Sequence, residues 1–238
     1  MSDLLRQLFT DGSIGTGVWE TVYLTLISTA FAYLLGLPLG LLLYVTDRGG
    51  LKPCLPLNKT LGIVVNLLRS IPFVILMVAF LPVAKAIVGT SLGNKAMIVM
   101  LIVAAAPFVA RMVESSAKEV KGGVIEAAKS MGASNMQILF KVILPEAKPA
   151  LIVGAIITTV NVIGYSAMAG TIGGGGLGAI AITYGYQRFK DDVIWVCVAL
   201  MVILVQVLQE VGMFVARRTD KRVRSGHRRK TVAEEPKP

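Results

Sequence analysis

The sequence predicts an all-α polytopic membrane protein, and its composition and its long uncharged segments are the reasons. Hydrophobic residues make up 55% of the 238 residues, charged residues make up 16%, and the mean hydropathy is +0.72. Soluble domains usually contain about 25% charged residues. An apolar helix of about 20 residues is long enough to cross a hydrocarbon core of about 30 Å. We therefore expect several helices that span a membrane.

Five spans are expected. They share an apolar composition with few or no charges, and they are 21–45, 60–84, 94–113, 148–168 and 192–216. Residues 46–59 are expected to form a connector. Gly36, Pro38 and Gly40 can bend the first span, since helices in lipid tolerate such residues when neighbours satisfy the freed carbonyls. Glycines at 173–176 predict a turn, followed by a short apolar segment at 177–187.

The distribution of basic residues predicts the orientation of the spans. Lys and Arg divide 18 to 5 between the two sets of alternating loops, and the basic side is normally cytoplasmic. This predicts a periplasmic N-terminal segment at 1–17, a transmembrane domain at 18–216 and a basic cytoplasmic tail at 217–238. The net charge of +10 is then explained by loop orientation and by contact of the tail with anionic membrane lipids, and nucleic-acid binding is the rejected alternative.

The polar segment at about 122–145 lies between the third and fourth spans and predicts two short helices. Apolar residues at helical spacing precede Gly132, which favours the left-handed conformation that closes a helix. Ser134 and Gln137 have the spacing of a capping box, which begins a second helix. Pro145 is expected to end that helix, because proline removes a backbone donor.

This segment resembles the cytoplasmic coupling motif of ABC importer permeases. The resemblance rests on EAA, three further residues, a glycine, and a later Leu-Pro pair, and Val142 is its one departure. It implies a type I importer permease fold with a coupling helix pair. It assigns contact with a separate ATPase to Glu126, Ala127, Ala128, Gly132, Ala133, Leu144 and Pro145. A helix pair on the membrane surface that has no partner is the alternative.

Three further segments narrow the resemblance. RSIPF, AAPFVARMVE and GYSAMAGTIGGGGLG are similar to segments of the permease subunit of bacterial methionine importers. The resemblance implies a homodimer in the bacterial inner membrane, two copies of a cytoplasmic ATPase, and an outer methionine-binding lipoprotein or soluble binding protein. ATP and Mg are then used by the partner ATPase, and this chain binds no cofactor of its own.

The sequence contains no pattern that predicts catalysis. Neither the phosphate loop GxxxxGKS or GxxxxGKT nor the zinc motif HExxH occurs. Cys54 and Cys197 have no CxxC spacing, and His227 is the single histidine, so we expect neither a disulfide nor a metal site. The chain is predicted to be a transport subunit without enzymatic activity.

Four residues are candidates for the substrate pathway or its gate. They are Arg69, Tyr165, Ser166 and Met168. An arginine within an apolar span should face the protein interior or extend to the membrane surface. Met168 lines a gate or packs in the core. Five spans are too few to enclose a pathway, which favours a homodimer. Transport of another amino acid is the alternative function, and a scaffold or channel without pumping is a further one.

Overall fold

The computed structural model describes residues 3–219, and within that range every regular element is helical. The α-helices are α1 Asp3–Thr10, α2 Ser13–Thr46, α3 Leu55–Ser70, α4 Phe73–Ala79, α5 Leu81–Val88, α6 Asn94–Lys118, α7 Gly122–Ser130, α8 Asn135–Ile138, α9 Leu144–Ala169, α10 Leu177–Ile180 and α11 Asp191–Thr219. A π-helical turn at Leu139–Ile143 joins α8 to α9, and another at Ala181–Tyr186 extends α10.

Helices α2 and α6 pack against each other along most of their length and form the centre of the bundle, with α9 beside them. Two glycines one helical turn apart allow this close approach. A Cβ on Gly36 would lie 2.6 Å from Cβ of Val109, and a Cβ on Gly40 would lie 2.7 Å from Cβ of Val113. Small residues at this spacing let helices in lipid pack backbone to backbone. The glycines of the first span therefore serve packing.

The first span is longer than the sequence predicts. Helix α2 begins at Ser13 and crosses the expected boundary at 17/18, and it continues through Pro38 to Thr46. Glu20 does not end the apolar helix, because its carboxylate accepts hydrogen bonds from Asn94 and from the backbone of Gly176. The connector that follows is correspondingly short, since α3 begins at Leu55 rather than at 60.

The expectation of one continuous second span is wrong. The segment contains α3, α4 and α5, and α3 and α4 meet at an angle of 106°. Pro72 explains the break: it has no backbone N–H, and it holds the preceding residue, Ile71, in an extended conformation with ψ 126°. Counted together, α3 and α4 are apolar enough to form one broken span.

Four other helical segments within 3–219 are long and apolar enough to cross a membrane, and they are Ser13–Thr46, Asn94–Lys118, Asn135–Ile172 and Asp191–Thr219. With the bent pair they make up to five spans, in agreement with the predicted number. The short apolar segment predicted after the glycine turn is helical in the structure, over Leu177–Tyr186. Helix α11 is the least buried of these four segments and exposes Trp195, Val202 and Phe214, as expected of a lipid-facing helix. Residues 220–238 of the predicted tail lie outside the described range.

We expect Gly40→Ala to destabilise the protein, because the added methyl group collides with α6. Overpacking of this kind typically costs about 1–3 kcal/mol. Gly15→Ala in the same helix is the matched control: no atom lies within 4 Å of its Cβ, and alanine favours helix over glycine. Thermal unfolding of the detergent-solubilised protein measures both effects. Equal melting temperatures for the two variants would contradict the glycine-dependent contact between α2 and α6.

Candidate functional site

Gly132 forms the turn at which α7 ends. Its φ is +79°, in the left-handed region that glycine adopts without strain. The Gly132 N–H donates to the carbonyl of Lys129 at 2.9 Å, and the Ala133 N–H donates to the carbonyl of Ala128 at 3.1 Å. These two bonds make a Schellman motif. The predicted helix end at Gly132 is confirmed.

The next helix begins with the predicted capping box. The Ser134 hydroxyl accepts a hydrogen bond from the Gln137 N–H at 3.3 Å, and the Gln137 side-chain oxygen accepts one from the Ser134 N–H at 2.9 Å. The neighbouring Asn135 amide donates to the carbonyl of Leu51 at 3.0 Å. The turn is thereby attached to the loop that follows α2.

The expectation that Pro145 ends the second helix is wrong. Helix α8, the π-helical turn and α9 run on without a break and form one segment with the short 3₁₀ turn that ends at Ile172. Pro145 lies in the first turn of α9, directly after the π-helical turn, where a missing backbone N–H is tolerated. The second helix of the predicted pair is therefore the start of the fourth span.

The seven residues matched to the coupling motif have different environments. Ala128 is buried, Ala133 and Leu144 are partly buried, and the exposed residues are Glu126, Ala127, Gly132 and Pro145. Three apolar side chains beside them are also exposed: 82% of Met131, 64% of Met136 and 52% of Phe140. We call these four exposed motif residues and three apolar side chains the coupling surface. Exposed apolar side chains on a polar segment are typical of a surface that binds another protein.

A chain of ion pairs lies behind this segment, and the sequence analysis missed it. Arg111 pairs with Glu114 at 2.7 Å, and Lys118 bridges Glu114 at 2.8 Å and Asp47 at 2.7 Å. Arg111 also donates to the Gly62 carbonyl of α3. The hydrogen bond from Lys118 lowers the pKa of Asp47. The i, i+3 and i, i+4 spacing of the charges on α6 is the signal that could have revealed two of these contacts.

A cavity of about 360 Å³ lies at the break between α3 and α4. Two of the candidate pathway residues, Arg69 and Tyr165, line it together. The Arg69 guanidinium carbon lies 5.8 Å from the centre of the Phe108 ring, and the Tyr165 ring stacks on Phe73 with centroids 4.5 Å apart. The tertiary structure thus brings residues from α3, α4, α6 and α9 to one site.

The other two candidate pathway residues do not line this cavity. Ser166 is buried, and its hydroxyl donates to the carbonyl of Ile163 in its own helix at 2.8 Å. Met168 is 49% exposed and lies one turn beyond Tyr165 on α9. A gate role for Met168 stays a prediction, and Ser166 has a structural hydrogen bond that explains its burial.

The glycine-rich segment after α9 is held in place by side chains of other helices. The Glu20 carboxylate accepts from the Gly176 N–H at 2.8 Å and from the Asn94 amide at 2.8 Å, and the Asn94 side-chain oxygen accepts from the Gly175 N–H at 3.0 Å. The Thr21 hydroxyl accepts a hydrogen bond from the Leu177 N–H at 2.9 Å. These hydrogen bonds therefore attach the glycine-rich turn, at the start of α10, to α2 and α6. The sequence analysis did not identify these contacts of Glu20, Thr21 and Asn94.

No group of three metal-ligating side chains comes together within residues 3–219. Cys54 is exposed and Cys197 is buried, and neither forms a disulfide in that range.

A family model described as the binding-protein-dependent transport system inner membrane component matches residues 36–225. The chain belongs to this family. Membership makes it a multi-pass inner-membrane protein and the permease subunit of an ABC transporter, in agreement with the coupling motif and the apolar helices.

Relatives of the permease cover most of its length. The probable D-methionine transport system permease protein MetI of Vibrio cholerae is 50% identical over 207 residues, which is 87% of this chain and 92% of the relative. The D-methionine transport system permease protein MetI of Escherichia coli is 51% identical over 154 residues, which is 65% of this chain and 71% of the relative.

Solved structures have the same fold as the permease. An inward-facing conformation of the MetNI methionine ABC transporter matches with a TM-score of 0.87 and 45% identity over 93% of this chain and all of the matched chain. A structure of an amino acid ABC transporter with histidines matches with a TM-score of 0.73 at 18% identity, which is evidence for the fold alone. The predicted type I importer permease fold is confirmed.

We expect Gly132→Ala to weaken association of the permease with the ATPase that the coupling motif implies. Alanine in the left-handed conformation costs about 1–2 kcal/mol, whereas asparagine adopts it more readily, so Gly132→Asn should retain more association. Within residues 3–219, no atom beyond Gly132 and its two chain neighbours lies within 4 Å of a Cβ built there, so neither variant meets a steric clash inside this chain. Co-purification of the ATPase from membranes measures the effect. Full recovery with both variants would exclude Gly132 from the coupling contact.

Proposed function

We propose that this chain is the permease subunit of an ATP-driven ABC importer that moves methionine, as both the L and the D form, across the bacterial inner membrane. The similarity to the MetNI methionine transporter carries the proposal, because it extends over 93% of this chain at 45% identity. Relatives described as D-methionine permeases support the same cargo at 44–53% identity.

The proposed assembly is a homodimer with two copies of a cytoplasmic ATPase. The exposed apolar side chains of the coupling surface support an ATPase partner, because they would be buried by a groove on that subunit. Lys121, Lys129 and Lys141 are exposed in the same segment and favour a partner with acidic groups nearby. A periplasmic binding protein or lipoprotein delivers methionine to the opposite end of the bundle.

ATP hydrolysis is assigned to the partner subunit, which uses Mg, since the sequence of this chain contains no phosphate loop. The contribution of this chain is mechanical. The helical segment Asn135–Ile172 begins at the coupling surface and carries Tyr165 at the cavity, so movement of one end displaces the other. Conformational change in the ATPase is converted in this way into opening and closing of the pathway.

The proposed orientation has the N-terminus in the periplasm and the C-terminus in the cytoplasm. Contacts between loops support it. Asp47 pairs with Lys118, and Asn135 bonds to Leu51, so the loops predicted to be cytoplasmic lie at one end of the bundle. The loops predicted to be periplasmic meet at the other end, where the Gly93 N–H donates to the carbonyl of Gly173.

Reconstitution tests the proposed function. Proteoliposomes that contain the chain and its ATPase should accumulate labelled methionine when ATP and the binding protein are supplied, and an ATPase variant unable to hydrolyse ATP should abolish the accumulation. Accumulation of a different amino acid, without methionine, would favour the alternative cargo. ATP-independent equilibration of methionine would favour a channel and contradict the pump.

Cysteine labelling tests the orientation. Met131→Cys, in a chain whose two native cysteines are replaced by alanine, should react with a membrane-impermeant maleimide in inside-out vesicles and not in right-side-out cells. Phe189→Cys is the matched control: it is 88% exposed, lies in a loop predicted to be periplasmic, and should show the opposite pattern. Labelling of both positions from the same side would overturn the topology.

A further inference from the structure

We propose that the cavity at the break between α3 and α4 is a transit site for the amino acid, at which the Arg69 guanidinium binds the substrate carboxylate. The inference rests on the proposed function and adds a recognition site to it. The cavity has a volume of about 360 Å³, which falls within the usual range of small-molecule sites, about 300–1,000 Å³.

The state of Arg69 is the first observation. Its side chain is exposed at the last turn of α3, inside an apolar segment, and within residues 3–219 no carboxylate pairs with it. Its guanidinium lies over the face of the Phe108 ring. A cation in a transmembrane segment is costly unless it meets water or an anion, and such residues commonly mark transport pathways. A guanidinium binds a carboxylate through two parallel N–H bonds.

Arg111, on the neighbouring helix α6, provides a contrast within the same protein. Arg111 pairs with Glu114 and donates hydrogen bonds to the Gly62 carbonyl and to the Asn66 side chain, so its positive charge is compensated inside the chain. Arg69 has no such set of acceptors among residues 3–219. Its charge is available to a ligand that enters the cavity.

The rest of the cavity wall fits the remaining groups of methionine. The last turn of α3 leaves carbonyl oxygens without intrahelical partners, and these can accept hydrogen bonds from an ammonium group. The aromatic rings of Phe73, Phe108 and Tyr165 suit a thioether, since sulfur makes favourable contacts with the edges of aromatic rings. The cavity therefore has a group suited to each part of a zwitterionic amino acid with an apolar, sulfur-containing side chain: the carboxylate, the ammonium group and the thioether.

The position of the cavity also fits a transit site. Tyr165 belongs to the helical segment that begins at the coupling surface, whereas Arg69 and Phe73 lie on either side of the helix break. Movement of that segment changes the distance between the aromatic wall and the cation. The site can therefore bind and release its ligand as the coupling surface moves.

Transport by substituted complexes is the first arm of the test. In proteoliposomes of the full complex, Arg69→Met should lower the initial rate of ATP-dependent methionine uptake about tenfold or more, because a charged hydrogen bond is lost. Arg69→Lys should retain part of the rate. Arg188→Met is the matched control, since that guanidinium also lies over an aromatic ring, Tyr184, but outside the cavity. Its uptake should stay within about twofold of the unsubstituted complex, as expected for a surface change.

Chemical modification inside the cavity is the second arm, and it does not depend on transport. Ser70→Cys, with both native cysteines replaced, places a thiol in the cavity of the permease–ATPase complex. An anionic methanethiosulfonate should react faster than a cationic one after normalisation to free cysteine, and Arg69→Met should remove the preference. L-methionine should slow the reaction, whereas L-methioninol, which has the same side chain and no carboxylate, should not.

The two arms separate failure of the transit site from failure of the proposed function. Normal methionine uptake by Arg69→Met, or equal protection by methionine and methioninol, would overturn the transit site and leave the importer intact. A complex that does not pump methionine, but in which carboxylate-bearing amino acids still protect the introduced thiol, would retain the site and reject the proposed cargo.

Discussion

The need to satisfy every backbone polar group inside lipid governs this structure. Two segments that interrupt the long helices meet this need in different ways. The glycine-rich turn after α9 has its N–H groups bonded by Glu20, Thr21 and Asn94. The break between α3 and α4 instead opens into a cavity. One departure is closed by side chains, and the other leaves polar groups available to a ligand.

The continuous helical segment from Asn135 to Ile172 connects the two ends of the bundle. Its 38 residues correspond to a length of about 57 Å, longer than a hydrocarbon core of about 30 Å. The Schellman turn at Gly132 and the capping box at Ser134 define its start. Because a hydrogen-bonded helix transmits displacement along its axis, the coupling surface and the cavity wall belong to one mechanical unit.

Close helix packing supplies the fixed frame around that unit. Gly36 and Gly40 bring α2 against α6, and the ion pairs of Glu114 with Arg111 and Lys118 lie near the end of the same helix. Lys118 extends the ion pairs to Asp47, beyond the end of α2. Helix α6 is thereby held to α2 by packing in the middle and by charge at one end, and α9 packs beside this pair.

The sequence by itself determined the local features, because they depend on residues within a few positions of one another. Gly132 predicted a helix end, and Ser134 with Gln137 predicted a helix start, and the structure confirms both. Apolar length predicted five spans, and the structure has up to five, with the second broken between α3 and α4. The sequence-based prediction that Pro145 ends the second helix is wrong, because a π-helical turn upstream lets the helix continue. A single-residue rule cannot anticipate that adjustment.

Only the tertiary structure decided which distant residues meet. Arg69 and Tyr165 are 96 positions apart and share one cavity, whereas Ser166, next to Tyr165, turns to its own helix. Glu20 reaches a glycine 156 positions away. Helix periodicity describes the faces of one helix, but the partner of each face depends on how helices bend and pack. Pro72 supplies the bend and Gly36 and Gly40 the packing, and their combined result appears only when all the helices are assembled.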